Sequence, residues 1–314
     1  MRQNQGVRGF SRPGGNVLSF GLVRYPEKLL LMTLKSYLYL VMGIGLLTLP
    51  GCVVRQAFFV SPFNGNNLEY HPVPKAGDSI HTAVYSSLTY SNGSANDFGT
   101  DYLWSLHLSV HAAHQYNQVQ FHYGLGLTLG DYTMGTWRVD SGNGYLFSPN
   151  TALRTAAQLN TFSGTYAFGG VGFQGGINGV LPFRRGEWRY LGVETSVTQE
   201  YGNYLAVRKQ MPDSIATLIN RSPTFATVGV TTEIVGHDRN GEFGFKWALG
   251  WALGHRYSNP GIVDNTDGDP LRYMYFNFTF HYTYRQLTSY LQFNDATKAR
   301  LIFVGLNYRL WAGR

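Results

Sequence analysis

Four sets of side chains have types and spacings that suit chemistry. In His255-Arg256-Tyr257-Ser258-Asn259-Pro260-Gly261 an imidazole stands three residues before a serine, the base and nucleophile that acyl hydrolysis needs. An unbroken strand sends residues three apart to opposite faces, so only a bulge or turn at Arg256-Tyr257 joins His255 to Ser258. Asn259-Pro260-Gly261 is a turn signal, and the plainer expectation is a strand end entering a loop. His107, His111 and His122 offer three imidazoles on adjacent runs, the ligand type of a transition metal. No acidic residue at fixed spacing completes that set, and polar filler of a barrel interior is the plainer expectation. Asp264, Asp267 and Asp269 supply oxygen ligands around Gly268 that suit a weak Ca²⁺ site, although no Glu closes the loop. Glu233 and Lys246 flank the turn at Arg239-Asn240-Gly241 and are expected as an inward ion pair. Gly169-Gly170 and Gly175-Gly176 open no helix, so phosphate binding is not expected, nor is any cofactor.

The element that fixes where these groups work lies near the N-terminus. Lys35, the apolar run Tyr37–Leu47, and Leu49-Pro50-Gly51-Cys52 follow the order of a secretory signal ending in a lipoprotein cleavage site. The apolar run is too short to span a bilayer as a helix. Residues 1–51 are therefore read as leader and signal peptide, with translation expected to start at Met32. Cys52, the sole cysteine, is read as the lipidated (palmitate-bearing) first residue of the mature chain. With one cysteine there is no disulfide framework and no spare thiol nucleophile. Residues 52–77, rich in Pro, Asn and Gly, are expected as a lipidated tether or plug segment, and 78–314 as the main domain.

Charged residues make up only 14% of the chain while aromatics reach 15%, with 22 Tyr, 20 Phe and 38 Gly. Soluble domains carry roughly a quarter charged residues, so the balance favours a transmembrane β-barrel. The net charge of +7 includes leader residues Arg2, Arg8, Arg12, Arg24, Lys28 and Lys35 against Glu27. No basic cluster remains in the mature chain, which argues against nucleic acid as a partner.

Period-two alternation recurs along the mature chain. Trp104, Leu106, Leu108, Val110 and Ala112 oppose Ser105, His107, Ser109 and His111; Val119 to Leu129 oppose Gln118 to Thr128. Phe243 to Leu253 and Met274 to Tyr284 repeat the pattern with small and polar residues opposite. Ten segments result, roughly 79–90, 102–114, 118–130, 161–174, 187–201, 224–237, 242–255, 271–284, 286–294 and 298–311. The connections after odd segments are 91–101, 131–160, 202–223, 256–270 and a short tip near Asp295, and those after even segments are tight at Tyr116-Asn117, Arg239-Asn240-Gly241 and Arg285, with a medium one at 175–186. That alternation is the outer-membrane pattern of short inner turns and long outer loops; missed strands in 131–160 would raise the number to twelve. A two-residue turn at Tyr116-Asn117 pairs Gln115 with Gln118 and sets His111 opposite His122.

Gly305-Leu306-Asn307-Tyr308-Arg309-Leu310 resembles the C-terminal recognition signal of outer-membrane barrels, although Phe303 takes the usual polar place and Trp311 to Arg314 trail beyond it. Phe58-Phe59-Val60-Ser61-Pro62-Phe63-Asn64, leading to a first strand ending Leu88-Thr89-Tyr90, resembles a group of barrel lipoproteins of Bacteroidota-type bacteria. That resemblance implies an outer-membrane location and carries no activity with it. His255 to Asn259 resembles the His-x-Ser-Asn signature of outer-membrane lipid A deacylases and phospholipases, except that the gap here is one residue too long.

The expected fold is an all-β antiparallel up-and-down barrel of about ten strands with a narrow lumen filled by Tyr, His, Gln and Glu. The leading functional expectation is a non-enzymatic structural or accessory subunit of an outer-membrane assembly, touching membrane lipids and other outer-membrane proteins through loops 131–160, 202–223 and 256–270. The alternatives are an acyl hydrolase using His255 and Ser258, and a narrow solute pore.

Overall fold

Strands that alternate apolar with small or polar residues make a sheet with one apolar face, and closing that sheet on itself removes its unpaired edges. The protein takes this route in a computed structural model that describes residues 58–76, 79–95, 101–136, 157–212, 218–238, 241–253, 274–296 and 299–313. A two-residue strand β1 (Phe58–Phe59) precedes β2 (Thr82–Ser94), β3 (Tyr102–Tyr116), β4 (Val119–Met134), β5 (Gly164–Phe183) and β6 (Gly186–Gly202). Helix α1 (Asn203–Gln210) and a second short strand β7 (Leu218–Ile219) lead into β8 (Thr224–His237) and β9 (Glu242–Leu253). The chain ends with β10 (Met274–Tyr284), β11 (Leu287–Ala296) and β12 (Ala299–Gly313). Ten of these strands form a closed antiparallel barrel in sequence order, with β12 pairing back onto β2. Strands β4 and β5 pair directly from Val119↔Gly179 to Met134↔Gly164, so no further strand inserts between them.

Two expectations about connections need correction. The medium connection at 175–186 is strand: β5 continues to Phe183, and Arg184-Arg185 alone turn the chain. Its glycines disguise it, because they lower apparent β-propensity while relieving crowding inside the barrel. A Cβ at Gly176 would sit 2.7 Å from the His122 ring and 2.8 Å from Glu194. At the hairpin between β3 and β4 the two-residue loop is Asn117-Gln118, so Tyr116 pairs with Val119 and Gln115 with Gln120. His111 therefore faces Gly124, and His122 faces Ala113, rather than each other. Asn117 occupies the positive-φ position (52°) of this loop, which Asn tolerates better than Tyr. The 202–223 connection, expected as a loop, also holds α1 and β7.

Tight turns at 117–118, 184–185 and 285–286 lie at one end of the barrel, and the 238–241 connection, closed by Asp238 N–H donating to Gly241 O at 2.9 Å, joins them there. The start of β2 and the end of β12 meet at the same end, where His81 N–H donates to Gly313 O at 3.0 Å. The longer connections, including the one carrying α1 and β7, leave from the opposite end.

Ten strands about 4.8 Å apart and tilted about 40° enclose a ring roughly 20 Å across between backbones. An extended segment on the axis then sits about 10 Å from every wall, the spacing at which two sheets pack face to face. One such segment fits, and residues 60–75 occupy it.

Candidate functional site

The candidate site is the lumen, where residues 60–75 meet the inward faces of the barrel strands. The segment is almost wholly buried: Phe63, Asn66, Tyr70 and His71 are each at most 4% exposed. Lacking regular secondary structure, it must satisfy its backbone and polar side chains with partners from the wall, since an unpaired buried polar group is costly. Most of those partners come from around the circumference, in three tiers, although Asn67 Oδ1 and both ring nitrogens of His71 are buried without a hydrogen bond.

At the long-connection end, Ser61 Oγ donates to Glu200 Oε2 at 2.7 Å, and Glu200 also pairs with Arg208 of α1. Arg208 is fully buried, donates to Asn220 O, and lies 4.8 Å from the Tyr204 ring centroid. Tyr204 stacks on Tyr132 at 3.9 Å, and burial pushes its hydroxyl pKa well above the ordinary value. Phe63 meets Phe168 edge-on at 5.8 Å and fills the space over Gly170, where a Cβ would collide with its ring.

One tier deeper, the Asn66 side chain bonds Ser91 and Ser105, and Asn67 Nδ2 donates to Ser196 Oγ at 2.6 Å. Gln292 Nε2 donates to Leu68 O at 2.6 Å, and Asn294 to Gly65 O. Glu69 accepts from Thr89 at 3.3 Å and Ser109 at 3.4 Å and lies 3.3 Å from His107 Nδ1. Ser105 Oγ is 2.8 Å from His107 Nε2, so Ser105, His107 and Glu69 stand in the order of nucleophile, base and orienting carboxylate. The surroundings do not suit that chemistry. Ser105 is 0% exposed, its hydroxyl also bonds Ser91 at 2.7 Å, and Asn66 covers it. Thr128 Oγ1, at 2.9 Å, is closer to His107 Nδ1 than the carboxylate is. No room is left for an acyl group beside the hydroxyl, and the arrangement instead fixes Asn66 and Glu69 to the wall.

The third tier, toward the tight-turn end, is ionic. Arg189 bridges Glu187 and Glu233, each at 2.7 Å. Glu233 Oε1 also lies 2.8 Å from His281 Nε2 and accepts from the Tyr70 hydroxyl at 2.9 Å. The Tyr70 ring stacks on His281 at 4.4 Å. Lys246 pairs with Glu194, whose carboxylate is 4.0 Å from His122 Nε2. Below this, Gln120 donates to Pro74 O at 2.8 Å, Ala76 N–H to Glu187 Oε2 at 2.7 Å, and Lys75 pairs with Glu242. Beside Tyr70, Lys75 and Arg189 the described residues leave a cavity of about 40 Å³, enough for a water or two.

Glu233 and Lys246 do face one another in register, as the turn between them implies, but they do not pair. Glu233 is taken by Arg189 on the neighbouring β6 and by His281 two strands over on β10, and Lys246 likewise reaches two strands over to Glu194, because in a narrow lumen side chains from non-adjacent strands meet. His107, His111 and His122 all point inward and are buried, yet they do not converge. His107 serves Ser105, Thr128 and Glu69, whereas His111 is stacked between His71 at 4.2 Å and Tyr85 at 4.9 Å. Stacked rings direct their nitrogens sideways rather than at a common point, and among the described residues no group of three His, Cys, Asp or Glu is disposed to hold a metal ion. Cys52, His255, Ser258, Asp264, Asp267 and Asp269 lie outside the described residues.

Sequence reasoning missed Glu69, Tyr70 and His71, because their segment has no periodicity to read. Glu187, Arg189 and Glu194 were legible in principle: all three fall on buried positions of β6, where a charge needs an opposite partner.

The outer face is of a different kind. Leu106, Leu108, Val110, Leu125, Val193 and Val304 form an exposed aliphatic belt midway along the strands. Exposed Tyr116, Phe183, Phe243, Tyr284, Tyr308 and Trp311 ring the tight-turn end, and Tyr90, Tyr102, Trp104, Tyr201 and Phe293 ring the other. On β3 about 3.4 Å per residue and a 40° tilt put Trp104 and Tyr116 roughly 30 Å apart along the barrel axis, close to a bilayer's hydrocarbon thickness. An apolar band between two aromatic girdles is the surface of a barrel solvated by lipid.

No family model matches the chain, and no curated protein matches its sequence. Among solved structures, the translocator domain of autotransporter NalP from Neisseria meningitidis shares 8% identity at a TM-score of 0.37, over 74% of this chain and 90% of that one. An outer-membrane channel from Pseudomonas putida F1 shares 7% at 0.34, over 77% and 100%. The outer-membrane protease OmpT from Escherichia coli shares 10% at 0.30, over 76% and 99%. At these values the likenesses carry no statement about this chain, whose closed ten-stranded antiparallel barrel stands on its own strand pairing.

Proposed function

We propose that this chain is an outer-membrane barrel lipoprotein whose barrel is sealed by its own N-terminal segment, and that it acts as a structural or accessory subunit rather than as an enzyme or pore. The observation that carries the reading is the lumen. Residues 60–75 make hydrogen bonds or ion pairs to inward residues of β2, β3, β4, β6, β8, β9, β11 and β12, so that one buried stretch of chain is tied to most of the lumen wall. The lipid-type outer surface supports a membrane location, and the order of residues around Cys52 supports lipidation there. Interaction would then fall to the long connections, at 131–160, 202–223 and 256–270.

Two measurements test this. In planar bilayers the intact protein is expected to give no steady conductance, and a variant lacking residues 60–75 to give discrete openings. Steady conductance from the intact protein would overturn the sealed-lumen reading. Extraction in mild detergent is expected to bring down a defined larger complex, and a protein that runs alone at barrel mass would remove the accessory role. Labelled palmitate should enter the wild type and be lost in Cys52→Ala.

A further inference from the structure

The segment inside the barrel has a direction. Its first described residues, Phe58–Phe59, pair in parallel with Leu218–Ile219, which belong to the connection between β6 and β8 at the long-connection end. From there the wall contacts descend in order. Ser61 meets Glu200 two residues from the end of β6, and Gly65 meets Asn294 near the end of β11. Glu69 meets Thr89 and Ser109 at mid-height, and Tyr70 meets Glu233 and Asn307. Pro72 O then lies 3.3 Å from His111 Nε2, Pro74 meets Gln120 at the start of β4, and Lys75 meets Glu242 at the start of β9. Ala76 N–H donates to Glu187 at the start of β6, beside the tight turn, and β2 starts at that same end. The chain thus crosses the whole barrel once before its first barrel strand begins.

We propose that the polypeptide preceding Phe58 emerges from the barrel on the side of the long connections, which makes the mature N-terminus a cell-surface feature. This rests on the reading of the protein as an outer-membrane barrel, in which long connections face outward and tight turns face the periplasm. Cys52 stands six positions before Phe58, a length of chain that reaches at most about 20 Å, so on this proposal a lipid on Cys52 would stay near the outer mouth. The acyl chains then enter the outer leaflet, whereas a tether hanging from the tight-turn end would enter the inner one. The threading also orders assembly: residues 60–75 must lie inside before β12 closes on β2, because a lipidated end cannot be drawn through a lumen that one extended chain fills.

The test places one epitope tag at each of three positions and probes intact cells with antibody: between Arg55 and Gln56, between Gly144 and Tyr145 in the connection after β4, and between Arg184 and Arg185 in the tight turn after β5. The proposal expects the first two tags to be reached in intact cells and the third only after permeabilisation. If the 144–145 tag is reached in intact cells but the 55–56 tag only after permeabilisation, the threading is overturned while the outer-membrane reading stands. If none is reached until the cells are opened, the outer-membrane reading fails and takes this proposal with it. Deleting residues 60–75 gives a second measurement: the 55–56 tag then loses its route through the lumen and is expected to become inaccessible in intact cells, while the 144–145 tag stays exposed. A 55–56 tag still reached at wild-type level in that deletion would overturn the lumen as its route.

Discussion

Leu125→Arg tests whether the outer face meets hydrocarbon. Leu125 is 65% exposed, in the middle of β4. It lies six residues from Val119, which pairs with girdle residue Tyr116, and six from Asp131, which pairs with Trp104. Six residues at about 3.4 Å and a 40° tilt give roughly 15 Å in each direction, so the side chain sits at the bilayer midplane. Arginine at the midplane of an outer-membrane barrel costs about 2–4 kcal/mol, and near the interface only about 0–1. Leu125→Arg should therefore lower the folding equilibrium constant roughly 30- to 700-fold, and Val119→Arg less than about tenfold. The assay is reversible denaturant unfolding in phospholipid vesicles, followed by tryptophan fluorescence. On a water-exposed face the same substitution would be near neutral, because a surface Leu stabilises little and Arg is well solvated. Equal, small losses for the two variants would refute the belt and with it the membrane location.

Three further outcomes follow from the lumen. Glu233→Ala leaves Arg189 and His281 without their shared carboxylate and should cost about 3–5 kcal/mol, whereas Glu233→Leu with Arg189→Met should cost less than the two single changes summed; additive losses in the same unfolding assay would mean the pair is solvated. Gly170→Val drives a side chain into the Phe63 ring and should cost about 1–3 kcal/mol, while Gly126→Ala, whose Cβ would find its nearest atoms 3.6 Å away, should be near neutral; equal effects would place Phe63 elsewhere. Arg208→Met strips the buried Glu200 carboxylate of its cation and should open the α1 connection to protease on the folded barrel, a change read as faster cleavage between 203 and 223 with the strands intact; unchanged cleavage would mean the pair does not hold that connection.

Period two is a local property, and so the strands were legible residue by residue. Trp104 to Val110 and Val119 to Leu129 fall on the outer face as their alternation requires, and the sorting of connections by length points to about ten antiparallel strands, with twelve excluded only by the direct pairing of β4 with β5. Where side chains are missing, the signal fades: Gly175-Gly176 disguise half of β5, and the turn expected at Tyr116-Asn117 lies one residue later because the residue types leave both registers open and only the pairing of Tyr116 with Val119 decides between them. Partners inside the lumen were not legible at all. Glu233 and Lys246 are cross-strand neighbours on paper, yet a closed ring about 20 Å wide brings Arg189, His281 and Glu194 within the same few ångströms and redistributes the charges. Composition showed that residues 60–75 are irregular; that they run down the axis of the barrel, and in which direction, was decided only by closure, because a segment with no periodicity takes its conformation from the wall that satisfies its hydrogen bonds.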